Sequence, residues 1–220
     1  MIGKKKGRAG AHRRNAEATR KGILASARRA FARASYDGVG LREIAQGAGV
    51  TAMMVNRYFG SKERLFAEVV AETIATPSIL TRENIASPTL GRDIAAALVE
   101  RTQIGAIPLD GFLIMLNSLS NKRAAKIERA LIEAHHQKAI AAALTGELAP
   151  QRAALVLSLI AGFQVMRQMI GLSALAQADP KSLARILRPV FQQLVEGNQT
   201  RGTKPPHETR SRPTSESGRP

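Results

Sequence analysis

Ala45, Gly49 and Val55 have the sizes and the spacing that let two short helices cross closely. Ala45 precedes the glycine by four residues, and Val55 follows it by six. Helices that cross at about 90–120° over a short turn need a small side chain at the contact and a residue that tolerates positive φ in the turn. This combination predicts a helix-turn-helix, whose second helix enters the major groove of DNA. An αα-hairpin without a DNA-binding role is the alternative.

The charge of the chain is concentrated near this motif. The net charge is +16, and residues 1–72 contribute fifteen Lys or Arg against six acids. Residues 73–196 carry thirteen against nine, and the remainder carries five against two. The basic first third therefore indicates a polyanionic partner, although a basic surface can also serve solubility alone.

The elements that must position the motif are predicted to be helical throughout. Aromatic residues make up only 4% of the chain and no alternating pattern persists, so strands are not expected. We predict an all-α protein with an N-terminal three-helix DNA-binding domain containing the helix-turn-helix, followed by a larger C-terminal helical bundle for effector binding and dimerisation. The predicted divisions are a disordered basic arm at 1–14, the DNA-binding domain at 15–72, the bundle at 73–196 and a disordered tail at 197–220.

Helix bounds follow from apolar periodicity and from capping residues. The first helix is expected at about 16–34, with Ile23, Leu24 and Phe31 on its apolar face. Ser87-Pro88 and Asp179-Pro180 each place a capping residue before a proline, which is typical of a helix start. Later helices are predicted at about 88–103, 109–119, 122–145, 150–175 and 180–195.

Several short motifs in residues 16–70 resemble those of TetR-type transcriptional regulators. They are Thr19-Arg20-x-x-Ile23-Leu24-x-x-Ala27-x-x-x-Phe31, Arg42-Glu43-Ile44-Ala45, Ala48-Gly49-Val50-Thr51 and Tyr58-Phe59-Gly60-Ser61-Lys62-Glu63-x-Leu65. The resemblance implies a homodimer on a palindromic operator, usually a repressor released by a small molecule. It also implies that residues 51–58 are the recognition helix, that Thr51, Tyr58 and Lys62 touch phosphates, and that Ala52, Met53 and Asn56 face base edges or the adjoining backbone.

The chemistry of these side chains leaves some roles open. Asn56 could bond an adenine edge or a phosphate, and Arg42 and Arg57 could each neutralise a phosphate or read guanine. Lys62 stands at the start of the next helix, where its ammonium and the exposed N–H groups can both face a phosphate. The candidate DNA-binding residues are Arg42, Thr51, Ala52, Met53, Asn56, Arg57, Tyr58 and Lys62. The basic arm could add contacts to DNA or remain a solvated tail.

The two last long helices are expected to form the dimer interface, as the family resemblance implies. Each carries a broad apolar face. The residues are Leu155, Val156, Leu159, Ile160, Phe163, Met166 and Ile170 on one helix and Leu183, Ile186, Leu187, Val190 and Leu194 on the other. Packing within a single chain is the alternative. In either case Arg167 falls on an apolar sector, so it must pair with an acid or bind an anionic effector.

A small-molecule effector is expected in an apolar pocket between bundle helices. The candidate residues are Phe112, Met115, His136, Phe163, Met166 and Arg167. Each of them could equally be ordinary core packing, and His136 could be a satisfied core histidine. The sequence does not name the effector.

Other functional classes find little support in the sequence. No nucleophile–base arrangement, metal-ligand spacing or glycine-rich phosphate loop is evident, so we expect neither an enzyme, nor a cofactor, nor a metal site. The absence of cysteine fits the reducing cytoplasm, and no signal peptide or membrane span is expected. The rival to a regulator is an architectural DNA-coating protein, which would show only sequence-tolerant affinity.

Overall fold

The computed structural model describes residues 4–76, 79–103, 105 and 110–197, with backbone alone for 4–13 and 110. These residues form helices and no strand, in agreement with the predicted fold class. The helices are α1 (Lys4–Arg33), α2 (Leu41–Gly47), α3 (Ala52–Phe59), α4 (Lys62–Ala75), α5 (Arg82–Ala86), α6 (Leu90–Arg101), α7 (Asp110–Ser118), α8 (Lys122–Ile132), α9 (Lys138–Ala143), α10 (Ala149–Gln164), α11 (Ser173–Ala176) and α12 (Pro180–Glu196).

The first helix differs from expectation at its start. α1 begins at Lys4, so residues 4–14 belong to its first turns although a disordered arm was expected there. Lys, Arg and Ala have high helix propensity, and the segment contains no proline to stop the helix. Basic composition alone was therefore a poor guide to disorder. Residues 1–3 and the predicted tail from 198 onward lie outside the described residues.

The later helices lie close to their predicted positions, with two informative differences. α6 begins at Leu90 because the Ser87 hydroxyl accepts the N–H of Thr89 in the preceding turn and does not cap a helix at Pro88. Two long helical runs each contain a π-helical segment, Glu133–Gln137 between α8 and α9 and Val165–Met169 after α10. Such segments change which side chains face inward and are frequent at functional sites.

Buried apolar side chains form two clusters. The first joins α1–α4 and extends into the bundle through Ile114 of α7 and Ala124 of α8, both fully buried. The second joins α5, α6, α9, α10 and α12. There α6 and α12 pack so closely that a Cβ on Gly91 would lie 2.8 Å from the backbone nitrogen of Gln192. The first core therefore crosses the predicted boundary at residue 72.

Two buried arginines hold helix ends in this bundle. Arg167 donates to the carbonyl of Val99 at 2.7 Å, to the Thr102 hydroxyl at 3.0 Å and to the Leu175 carbonyl at 3.2 Å. Arg152 donates to the carbonyls of Leu194 and Val195 at 3.1 and 3.0 Å. The C-terminal end of a helix carries partial negative charge, so it offsets a buried guanidinium. The predicted acid or effector partner of Arg167 is thus replaced by the end of α6.

Candidate nucleic-acid interface and internal cavity

α2 and α3 cross as the small-residue spacing predicts. Ala45 and Val55 are 2% and 1% exposed, and Gly49 adopts a φ of +67° in the turn between them. The N–H of Val50 donates to the Ala45 carbonyl at 3.0 Å, which closes the turn. The side chain of Thr51 accepts the N–H of Met54 and so caps α3.

A close contact behind α2 was not recognised from sequence. The Ser26 hydroxyl of α1 donates to the carbonyl of Ile44 at 2.8 Å. A Cβ added to Gly47 would lie only 2.4 Å from that hydroxyl oxygen. Gly47 therefore lets α2 lie directly against α1. This contact fixes α2, against which α3 packs. The available signal was a glycine within the helical run 41–48 that precedes the turn.

The outer face of α3 combines polar, basic and apolar side chains that are open to solvent. Thr51, Asn56 and Arg57 are exposed, and Met53 is 81% exposed. Ala52 and Tyr58 are half-buried. Arg42 of α2 is also exposed, and within the described part of the chain neither Arg42 nor Arg57 forms an ion pair. This face offers two unpaired cations and an exposed methionine to a groove.

Lys62 differs from the other candidates because its side chain packs inward. Its ammonium lies 4.6 Å from the centroid of the Tyr36 ring, a cation–π contact. Burial lowers the pKa of Lys62, and Asp37 partly opposes that change.

Polar contacts join this domain to α7 and α8. The Asn117 amide donates to the Ala32 carbonyl at 2.8 Å, and the Asn121 amide donates to the Asp37 carboxylate at 2.8 Å. Arg123 forms an ion pair with Glu63 of α4. All three contacts come from α7, α8 or the turn between them.

A cavity of about 420 Å³ lies between α1, α4, α7, α8 and α10. Three of the candidate effector-pocket residues, Phe112, Met115 and His136, line this cavity. Burial, and secondarily His135, lowers the pKa of His136 and favours the neutral imidazole. Phe163, Met166 and Arg167 do not line the cavity, which corrects their assignment to it. Phe163 belongs to the second core, Met166 is 41% exposed, and Arg167 holds the end of α6.

Two polar residues in the cavity wall were not recognised from sequence. Glu128 of α8 is 2% exposed, and neither carboxyl oxygen has a hydrogen-bond partner among the described residues. Burial raises the pKa of Glu128 to about 8. The amide nitrogen of Gln164, which ends α10, also lies buried without a partner. Glu128 is four residues after buried Ala124 and four before Ile132, so helical periodicity could have placed it inward.

The run Ala149–Met169 is long and apolar enough to cross a membrane by length and composition. That test is also passed by core helices of soluble proteins. Here Val156, Ile160 and Phe163 pack in the second core. The run also contains the two buried arginines.

Comparison with known proteins agrees with this architecture over both parts of the chain. Residues 23–69 match the family described as bacterial regulatory proteins, tetR family, and residues 89–195 match the tetracyclin repressor-like C-terminal domain. The chain belongs to the TetR family of bacterial regulators. It is therefore a transcriptional regulator of that family, with a helix-turn-helix that binds DNA. Among curated proteins, none matches the sequence significantly.

Solved structures with the same TetR fold cover most of the chain. A TetR-family regulator from Streptomyces coelicolor A3 is 25% identical with a TM-score of 0.51, covering 81% of this chain and 95% of its own. A transcriptional regulator from Pseudomonas aeruginosa PAO1 is 15% identical with a TM-score of 0.61, at 79% and 88% coverage. The multidrug binding protein EbrR, solved with proflavin, is 19% identical with a TM-score of 0.50, at 80% and 99% coverage.

Proposed function

We propose that this TetR-family protein is a cytoplasmic repressor that binds a palindromic operator as a homodimer and is released by a small molecule. The observation that carries the proposal is that the same two helices, α7 and α8, line the cavity and contact the DNA-binding domain. Phe112, Met115 and Glu128 on these helices line the cavity. Asn117, Asn121 and Arg123 on the same helices or the turn between them bind the DNA-binding domain.

Dimerisation through α10 and α12 is supported by a second apolar stripe on each helix. Val156, Ile160, Leu183 and Leu187 face the core of the chain. Four other apolar side chains are instead between 41% and 63% exposed. They are Leu155 of α10, Met166 of the π-helical segment that follows it, and Ile186 and Val190 of α12. Four large apolar side chains on adjacent helices are typical of a surface that a second protein chain covers.

The protein is released from its operator if the effector binds more tightly to an arrangement of α7 and α8 that does not fit DNA. Two recognition helices bind successive major grooves when they are about 34–36 Å apart. A ligand that binds better when α7 and α8 are displaced shifts the dimer toward a different spacing, since it can move the equilibrium only by its difference in affinity. EbrR, solved with proflavin, shows that this fold accommodates a small molecule.

The direct test is selection of bound fragments from genomic DNA by the full chain, repeated with pools of metabolites. We expect a symmetric site with half-sites one helical turn apart, and loss of binding with at least one pool. An Ala45→Leu variant serves as the control for motif-dependent binding. Recovery of sequences without symmetry, with equal affinity for all DNA, would favour the architectural alternative.

A further inference from the structure

The wall of the cavity includes a buried acid that its apolar neighbours cannot hydrogen-bond. Glu128 is 2% exposed, and neither of its carboxyl oxygens meets a donor within the described part of the chain. Leaving a buried carboxyl without a partner is costly, so such a group indicates either strain or a binding site. Its position in the wall of a 420 Å³ cavity favours a binding site.

The surrounding wall fits the apolar body of a ligand. Ile74, Phe112, Ile114, Met115 and Leu157 are among the lining residues. An aromatic ring and a thioether are polarisable, and both make favourable contacts with soft organic groups, including cations over a ring face. Gln164 is another lining residue, and its amide nitrogen is buried without a hydrogen-bond partner among the described residues.

Two further titratable side chains line the cavity. His136 comes from the π-helical segment after α8, where burial lowers its pKa and favours the neutral form. Arg28 comes from α1 and already has an interaction of its own. Among the described lining residues Glu128 is the acid, and an ionised Glu128 would leave its negative charge buried beside the apolar space.

We propose that this cavity binds a lipophilic organic cation whose positive nitrogen lies against the Glu128 carboxylate while its apolar body contacts Phe112 and Met115. The inference rests on the proposed effector role of the cavity and names its ligand class. An opposite charge in a poorly hydrated site stabilises the ionised carboxylate, which water cannot do there. Binding thus converts a neutral Glu128 carboxylic acid into a carboxylate paired with the cation and releases one proton to solvent.

The test uses three naphthalene probes on the full-length protein. They are (naphthalen-2-ylmethyl)trimethylammonium, its neutral carbon isostere 2-neopentylnaphthalene, and the anion 2-naphthylacetate. At pH 8.5 we expect the cation to bind at least about 10-fold more tightly than either of the others, because it alone pairs with an ionised carboxylate. Equal or tighter binding of the neutral or anionic probe would overturn the proposal.

The pH dependence gives a readout that packing alone does not produce. With a Glu128 pKa of about 8, the ionised fraction rises roughly 20-fold from pH 6.5 to pH 8.5, and affinity for the permanent cation rises with it. His136, whose pKa is lowered by burial, stays neutral and changes little over this range. Calorimetry at pH 6.5 in buffers of different ionisation enthalpy should detect nearly one released proton. A flat profile without proton release would overturn the proposal.

Two variants test whether the Glu128 carboxyl causes the preference for the cation and its pH dependence. Glu128→Gln keeps the shape of the side chain and should abolish both the preference for the cation and the pH dependence. Glu133→Gln removes an exposed acid from the same helical run outside the cavity and should bind as wild type does. Should Glu128→Gln fold poorly, the pH profile and proton release of the wild type still decide.

Operator binding, measured in parallel, separates the two proposals. A protein that binds a symmetric operator but none of the cations disproves the ligand class alone. A protein that binds the cation as described but no symmetric DNA disproves the proposed operator-binding repressor and leaves the cavity assignment intact.

Discussion

At the scale of single residues, the accuracy of sequence reasoning depends on whether a side chain acts within its own helix. Asp179 caps its helix as predicted, and Thr51 caps α3, because a cap needs only backbone groups two or three residues away. Glu128 and Arg167 acquire their roles from α1, α4, α6 and α11, which are distant in sequence. Their inward direction was readable from periodicity, but their partners were not.

The raised pKa of Glu128 predicts a pH-dependent stability. The folded carboxyl holds its proton up to about pH 8, whereas the unfolded one loses it near 4.5. The folded state thus binds more protons, and stability falls as pH rises between these values. From pH 5.5 to 8.0, urea unfolding of the wild type should lose about 3 kcal/mol relative to Glu128→Gln. Glu133→Gln should follow the wild type, and parallel curves for Glu128→Gln would contradict the assignment.

Lys62 connects domain packing with phosphate binding. Replacement by alanine removes one proposed phosphate contact, so the slope of log affinity against log salt should fall by about 1 for all DNA sequences. The loss of the cation–π contact with Tyr36 should also lower stability, by about 0.5–1 kcal/mol. Operator titrations at four salt concentrations and urea unfolding measure the two effects. A reduced stability with an unchanged slope would show that Lys62 is only a packing residue.

At the scale of elements, helix type and order followed from local pattern, while helix ends and irregular segments did not. α3 and α4 lie where their apolar spacing and caps indicate. The π-helical segments at 133–137 and 165–169 lie inside runs that read as continuous helices. A π segment adds a residue to a turn because of packing against other helices, so it leaves little trace in local sequence.

The crossing of α2 and α3 gives a prediction for Ala45. Leucine at this 2%-exposed position has no room, so it should separate the two helices or distort the turn, at a cost of about 1–3 kcal/mol. We expect operator affinity to fall at least about 10-fold while affinity for the cationic probe changes little. Ala139→Leu on the exposed surface of α9 is the matched control. Operator affinity equal to wild type in Ala45→Leu would show that close crossing is not required.

At the scale of the whole molecule, composition located the DNA-binding part but not the arrangement of the cores. The concentration of positive charge in residues 1–72 coincides with the helix-turn-helix. Packing continues across the predicted division at residue 72, since Val69 and Val70 share a core with Ile114 and Ala124. Long-range contacts of this kind are not encoded by the apolar period of any one helix.

The proposed dimer gives the prediction for the assembly. Ile186 is 63% exposed on α12, and a glutamate there places a charge in the centre of the expected interface. Ile186→Glu should raise the dimer dissociation constant by roughly 100-fold, and operator affinity should fall with it. Leu119→Glu, at a comparably exposed leucine outside α10 and α12, should remain dimeric. Sedimentation showing the same association state for both variants would contradict the assigned surface.

The two arginines that hold helix ends also determine how the bundle should respond to acid. Arg152 and Arg167 bind backbone carbonyls and a hydroxyl, none of which takes up a proton at moderately low pH. Acid therefore does not remove their partners, as it would for a buried arginine paired with a carboxylate. At low pH the bundle should keep both anchors, so its unfolding in acid should depend on groups other than these two arginines.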